Sequence, residues 1–241
     1  MAAPTAIRLW PRTQQLWSAR GGEDEIAPSV YNLVITGAVA YALLLYGWAG
    51  EVMVTVIQRA HLRLHVWELV VVFLSLAAGA IAGHLISLGA RPAKASIGLG
   101  VSAACFGAFS GPFFNQYRAG SITQVALATL TFTVFLGAAG IIYPKSLQSW
   151  RGPLCTSVVG LIFLQLAGSF LPALRGTPVH SIREWIAVVT FCAYVVYDFN
   201  RAQQIQRTTS HAVQVGAAVF LDIINLFVNL LELMGSKKDE D

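Results

Sequence analysis

Seven apolar runs, each about twenty residues long, dominate this chain of 241 residues. They lie near 30–50, 66–89, 95–117, 121–143, 153–174, 183–203 and 211–235. A helix that rises 1.5 Å per residue needs about twenty residues to cross the ~30 Å hydrocarbon core of a bilayer. The strands of a membrane barrel would be about ten residues long and would alternate in polarity. The sequence therefore predicts an all-α, polytopic membrane protein, a bundle of about seven transmembrane helices.

The composition argues against several other classes of protein. Hydrophobic residues make up 56% and charged residues 12% of the chain, whereas soluble proteins are about 25% charged. The net charge of +4 is spread thinly over the loops, without the dense basic stripe that nucleic acid binding requires. The three cysteines show no CxxC spacing, so neither a disulfide framework nor a zinc site is predicted. No cofactor is expected.

The flanking segments complete the predicted organisation. Residues 1–29 form a polar N-terminal tail without the apolar stretch and cleavage site of a signal peptide. Residues 30–235 form the seven-helix transmembrane domain, and residues 236–241 form a charged C-terminal tail. Counted over the tails and loops, Lys and Arg are slightly more numerous on the side of the membrane that holds the N-terminus than on the other side. By the positive-inside rule we expect the N-terminus in the cytosol.

Glycines recur at or near helical spacing inside the runs, where they let helices in lipid approach closely. The pairs are Gly79/Gly83, Gly107/Gly111 and Gly137/Gly140. Glycine is also common in membrane helices without such a role, so the pairs predict close helix contacts only as one of two interpretations.

The last run carries a stripe of polar residues. His211, Gln214, Asp222, Asn225, Asn229 and Glu232, with small Ala218 among them, follow one another at steps of three or four. This spacing places them along one helical face, which in lipid must meet protein or water. Asn225 and Asn229 are candidates for an ion pathway, and hydrogen bonding between helices is the equal alternative for both.

Asp198 and Asp222 are the charged residues that most need an explanation, because a carboxylate at membrane depth is costly. Both are equally far from residue 210, in the short polar link between the last two runs. An antiparallel hairpin that turns there would bring them to one level. Two carboxylates at one site of low dielectric cannot easily both ionise, so the pair would be sensitive to protons. Alternatively, Asp198 only pairs with Arg201, three residues later.

The segments around these aspartates resemble the transmembrane Bax inhibitor motif family. Tyr197-Asp198 is followed by the run Leu221-Asp222-Ile223-Ile224-Asn225-Leu226-Phe227. The resemblance implies a seven-span protein that leaks calcium across a membrane, is coupled to pH through paired aspartates and suppresses cell death. An intracellular membrane, endoplasmic reticulum or Golgi, is the implied location, with the plasma membrane as the alternative.

The resemblance also assigns roles to residues. Asp198 and Asp222 match the paired aspartates, and Arg91, near the end of the second run, matches a basic residue that latches the pore closed. With a cytosolic N-terminus, the second and sixth spans both run towards the cytosol, which makes an ion pair of Arg91 with Asp198 geometrically feasible. Phe199 and Phe220 stand where the family has polar side chains, which changes the hydrogen bonding around the pair.

Three functions compete on the sequence alone. The leading prediction is a pH-sensitive, calcium-permeable leak channel, in which Asp198 and Asp222 hold Ca²⁺ transiently and Asn225 and Asn229 line the path. The second is a non-conducting regulator that acts by binding other membrane proteins of cell-death pathways. An intramembrane aspartyl protease is disfavoured, because its Gly-x-Gly-Asp signature is replaced by Val219-Phe220-Leu221-Asp222. We therefore expect no enzyme, and the lipid bilayer and Ca²⁺ as partners.

Overall fold

The computed structural model describes residues 25–59, 66–89, 91–170 and 177–238, apart from side chains at 66–69, 166, 168–170 and 177–180. Seven α-helices run through these residues and confirm the predicted all-α membrane bundle. They are α1 (Pro28–Arg59), α2 (Val66–Ser87), α3 (Pro92–Phe114), α4 (Ala119–Ile142), α5 (Arg151–Phe170), α6 (Thr177–Ala202) and α7 (Thr209–Met234). A short 3-10 turn, Gln148–Trp150, precedes α5.

Local sequence explains where several helices begin. Pro28 and Pro92 stand in the first turns of α1 and α3. A backbone N–H at these positions has no partner within the helix, so proline, which lacks it, is tolerated there. Arg91 has an extended backbone, with φ −98° and ψ 127°, as the ring of the following proline favours. The hydroxyl of Thr208 caps α7 by accepting a 3.2 Å hydrogen bond from the N–H of His211.

Apolar side chains cover the outside of the bundle. Among the described side chains, five helices are long and apolar enough to cross a membrane, namely α1, α2 from Val70, α3, α4 and α7. Leu44, Phe135 and Phe163 are about 70% exposed. A surface this apolar would drive a soluble protein to aggregate, but it suits contact with lipid chains. The chain is an integral membrane protein.

The last helix, α7, is the centre of the bundle. It packs against α1, α2, α3, α4 and α6, and most of its first half is buried. Phe220, 1% exposed, meets Tyr46 of α1 edge to face, with ring centroids 6.0 Å apart. The helix that carries the polar stripe is thus the one most shielded from lipid.

Close glycine contacts hold neighbouring helices together, which is the first of the two interpretations that the sequence left open. A Cβ atom added to Gly83 of α2 would lie 2.5 Å from the backbone nitrogen of Ser102 on α3. Gly107 and Gly111 of α3 similarly approach the backbone of α1, and Gly140 of α4 approaches that of α6, while Gly137 meets the ring of Phe199. At the backbone contacts the helices are too close for any larger side chain.

The ends of the chain are described in part. Residues 1–24 of the predicted N-terminal tail and residues 239–241 of the predicted C-terminal tail lie outside the described residues. The N–H of Ile26 donates a 2.8 Å hydrogen bond to the carbonyl of Arg207, in the link between α6 and α7. The other end runs beside the turn between α3 and α4, where Arg118 donates to the carbonyl of Ser236 at 3.1 Å and Lys238 donates to that of Gln116 at 3.0 Å.

Candidate functional site

Asp198 and Asp222 meet inside the bundle, at the interface between α6 and α7. Their exposed fractions are 7% and 6%, and their side chains share a hydrogen bond. A hydrogen bond between two carboxyl groups requires that one of them carry a proton. Oδ2 of Asp222 is buried, and no N–H or hydroxyl group donates to it among the described residues. The pair is therefore a buried site that can hold a proton.

The hairpin that brings the two aspartates together is not the symmetrical one that the sequence predicted. Helix α6 ends at Ala202 and α7 begins at Thr209, so the chain turns before residue 210 rather than at it. Asp198 lies one turn before the end of α6, whereas Asp222 lies at the middle of α7. The first half of α7 continues past the end of α6 and packs on α1, with Val215 and Val219 near Tyr31 and Ile35.

Two tyrosines of α6 flank the pair. Tyr194, one turn before Asp198, is near enough for the charge of either aspartate to act on it. Tyr197 is buried, packs against Leu147 and Leu154, and meets the ring of Tyr194 edge to face at 6.4 Å. Tyr194 was not among the predicted site residues, although its spacing of four from Asp198 was a usable signal. The structure thus adds one aromatic neighbour to the predicted pair.

Arg201 is the cation whose charge acts on Asp198, from one turn further along α6. Asp198 thus lies near both of the residues that the sequence left as alternative partners, Asp222 and Arg201. Arg91 stands at the start of α3 and its side chain is exposed. Among the described residues, no ion pair joins Arg91 to either aspartate, so this conformation does not contain the predicted latch contact.

The remaining polar residues of α7 bond mainly within their own helix. The amide nitrogen of Asn225 donates to the carbonyl of Leu221 at 2.8 Å, and that of Asn229 donates to the carbonyl of Asn225 at 2.6 Å. Gln214 reaches further, because its Nε2 donates to the carbonyl of Gly89, in the link between α2 and α3, at 3.1 Å. Its Oε1 is buried and has no hydrogen-bond partner among the described residues.

Asn200 fixes the end of α6 beside the pair, and the sequence analysis did not single it out. It is 3% exposed. Its amide nitrogen donates to the carbonyls of Gly140, Tyr143 and Lys145 at 3.0–3.2 Å, and its Oδ1 accepts from the N–H of Leu147 at 3.0 Å. One side chain therefore ties the end of α4 and the following link to α6.

Nearly the whole chain matches a family of known proteins. Residues 28–239 match the family described as Inhibitor of apoptosis-promoting Bax1. The chain belongs to the Bax inhibitor family. The match covers all seven helices of the structure, and thus extends the resemblance from the two aspartate segments to the whole bundle. This Bax inhibitor family member is a membrane protein of a family that regulates cell death.

The donor set at the site limits which cation it could hold. Among the described residues, no group of three or more His, Cys, Asp and Glu side chains is arranged to bind a metal ion. Asp198 and Asp222 offer carboxylate oxygens, which suit Ca²⁺, but a tight calcium site takes six to eight oxygens. In this Bax inhibitor family protein the two carboxyl groups alone therefore do not make a tight calcium site.

Proposed function

We propose that this protein is a pH-sensitive leak channel for Ca²⁺, and that the Asp198–Asp222 pair is its gate. The observation that carries this proposal is the buried hydrogen bond between the two carboxyl groups. Loss of the shared proton leaves two negative charges in contact within a poorly solvated interface. Their repulsion favours separation of α6 from α7, and a cation entering between them relieves it.

Open acceptor oxygens on α7 support an ion path next to the pair. Asp222 Oδ2 and Gln214 Oε1 are both buried without a donor among the described residues. They lie on one face of the helix, about 12 Å apart along its axis at 1.5 Å per residue. Asn225 and Asn229 continue this face, and because their amide nitrogens bond within α7, we assign their amide oxygens to the path. Oxygens spaced along a path bind a cation weakly enough for it to leave.

In this proposal the described conformation is the closed one, because both aspartates are at most 7% exposed. Arg91 keeps a place in the proposal as the latch of another conformation, in which it would have to turn inward from its exposed position. By the same proposal the channel lies in an intracellular membrane, of the endoplasmic reticulum or Golgi, with the plasma membrane as the alternative. There its leak would lower calcium stores and so modulate cell death.

The proposal is tested with purified protein in liposomes that contain a Ca²⁺-sensitive dye. Ca²⁺ entry is followed from about pH 5 to 8, a range that brackets the titration of a buried carboxyl pair. We expect the flux to depend on pH in the unmodified protein and to change in both Asp198→Asn and Asp222→Asn. Glu51→Gln, an exposed carboxylate on α1, is the matched control and should behave like the unmodified protein.

Two outcomes would contradict the proposal in different ways. Flux that keeps its pH dependence in both variants would remove the aspartate pair from gating. If folded and inserted protein gives no flux above that of empty liposomes, the channel proposal is contradicted. The result would support the alternative, a non-conducting regulator that acts through other membrane proteins of cell-death pathways.

A further inference from the structure

A second group of charged side chains joins the same two helices at their other end. Arg183 and Glu184 stand near the start of α6, and Glu232 stands near the end of α7. The guanidinium of Arg183 contacts Glu184 through two nitrogens, with Nε 2.7 Å from Oε1, and its Nη2 lies 3.5 Å from Oε2 of Glu232. Arg183 is thus held between two carboxyl groups from facing helices.

This group lies far from the aspartate pair along the interface. At 1.5 Å per residue, Glu184 lies about 21 Å before Asp198 on α6, and Glu232 lies about 15 Å beyond Asp222 on α7. Because the helices are antiparallel, both displacements point towards the same membrane surface. The α6–α7 interface therefore has one pair of neighbouring carboxyl groups towards each end.

Between the two pairs, a layer of apolar side chains joins α6 to α7. Val188 of α6 packs with Leu226 and Leu230 of α7, and all three are at most 6% exposed. An ion cannot pass such a packed layer, since a charge without polar partners is strongly disfavoured there. Passage along this interface requires α6 to move away from α7. Contacts that tie the two helices together at the glutamate end oppose this movement.

Arg183 is well suited to tie the helices together. The side chain of Glu184 is 2% exposed, and those of Arg183 and Glu232 are 18% and 19% exposed. Ion pairs that are this well shielded are weakened little by salt, and removing one partner leaves a buried charge without compensation. The planar guanidinium can engage both carboxyl groups at once, which a compact ammonium does less well.

We propose that Arg183 is a positioning residue that closes the α6–α7 interface at the end opposite the aspartate pair. It does so by holding Glu184 of its own helix and Glu232 of α7 together. The proposal deepens the channel function and rests on it for the identity of what passes. The closing contact itself can be measured without any ion flux.

The native cysteines provide that measurement. Cys192 lies on α6, half-buried against the apolar layer of α7, while Cys105 is half-buried on α3 and Cys155 is exposed on α5. Each is labelled with a small, membrane-permeant thiol reagent, and the rate is read for each cysteine by peptide mass spectrometry. Cys192 reports opening of the α6–α7 interface, Cys105 reports general loosening of the bundle, and Cys155 reports reagent access.

We expect the reagent to label Cys192 roughly tenfold faster in Arg183→Gln than in the unmodified protein. This is the factor that a change of about 1.4 kcal/mol in the free energy of opening the α6–α7 interface produces. Cys105 and Cys155 should keep their rates. Arg183→Lys should restore part of the slow labelling, because it keeps the charge but not the planar fork. Arg59→Gln, an exposed arginine at the end of α1, is the matched control and should leave all three rates unchanged.

If Arg183→Gln does not fold, Glu232→Gln takes its place. This variant keeps a hydrogen-bonding amide but removes one of the two ion pairs, and a smaller acceleration confined to Cys192 is expected. An unchanged Cys192 rate in the folded variants would overturn the proposal, as would an equal rise at Cys105. Faster labelling of Cys192 in these variants, together with no Ca²⁺ flux through the unmodified protein, would support the closing role of Arg183 and contradict the channel function.

Discussion

The backbone N–H of Leu147, in the link between α4 and α5, donates a 3.0 Å hydrogen bond to Oδ1 of Asn200 on α6. Gln204 donates to the same oxygen at 2.7 Å, while the amide nitrogen of Asn200 serves carbonyls at the end of α4. The last carbonyls of a helix lack partners within the helix itself. Asn200 of the neighbouring α6 supplies the donor that these carbonyls of α4 lack. Because it stands two residues after Asp198, it also fixes the position of one half of the aspartate pair.

Asn200→Ala should destabilise the protein by about 3 kcal/mol, because a buried N–H and several buried carbonyls lose their partner. For a chain of this size that corresponds to a fall of roughly 6–12 °C in the melting temperature. Thermal unfolding in detergent measures it. Asn32→Ala, on an exposed position of α1, is the control and should melt like the unmodified protein. Equal melting of both variants would show that other groups or water replace Asn200.

Gly83→Ala should prevent normal packing of α2 on α3. The added methyl group would lie 2.5 Å from the nitrogen of Ser102 and 2.8 Å from the carbonyl oxygen of Gly98, and backbone cannot yield as a flexible side chain can. We expect a large loss of folded, monodisperse protein in size-exclusion chromatography. Gly160→Ala is the matched control, because nothing lies within 4 Å of the added atom. A normal yield from Gly83→Ala would mean that the two helices can move apart at little cost.

The aspartate pair should show coupling in a double-mutant cycle. Asp198→Ala and Asp222→Ala remove the same hydrogen bond, so the double variant should lose less stability than the two single variants added together. A coupling of about 1–2 kcal/mol is expected for contacting polar residues. Denaturation of the four proteins in one detergent at one pH gives the value. Strict additivity would indicate that the side chains do not interact in the membrane protein.

Removal of residues 236–241 should loosen the turn between α3 and α4. The N–H of Arg118 loses the carbonyl of Ser236, so hydrogen exchange at this amide should accelerate, while amides in the middle of α7 stay protected. Lys238→Gln is a milder comparison, because it removes only the exposed hydrogen bond from Nζ to Asn115. Unchanged exchange at Arg118 after the deletion would contradict a structural role for this segment.

The helices could be predicted from the sequence, because apolar runs of membrane length need no long-range information. Small residues at helical spacing indicated close helix contacts as one of two interpretations. The two aspartates either side of a short link indicated only a common level, and their pairing was what the family resemblance implied. The prediction of a turn at residue 210 was wrong, because the equal distances of Asp198 and Asp222 from this residue were taken to mean a symmetrical hairpin. The cap at Thr208 instead starts α7 earlier, and α7 then runs past the end of α6.

The contacts of Asn200 and Arg183 could not be predicted in the same way. Asn200 bonds to residues more than fifty positions away, and no spacing within α6 reveals such partners. Arg183 and Glu184 were placed at the very start of the sixth span, whereas α6 begins at Thr177. Their side chains are therefore inside a helix and against Glu232, rather than in solvent at a helix end. The predicted role of Arg91 as a latch stays a prediction.

The central position of α7 has a consequence for how the protein is made. Helices α1 to α6 leave the ribosome before it, yet α7 supplies the surface against which α1, α4 and α6 pack. Until it is inserted, residues that pack on it, such as Tyr31 and Ile35 of α1, lack these partners and must face lipid, water or the insertion machinery. Completion of the bundle is thus delayed until α7 enters the membrane, and a ribosome that stalls before α7 would release six helices without the one on which α1, α4 and α6 pack.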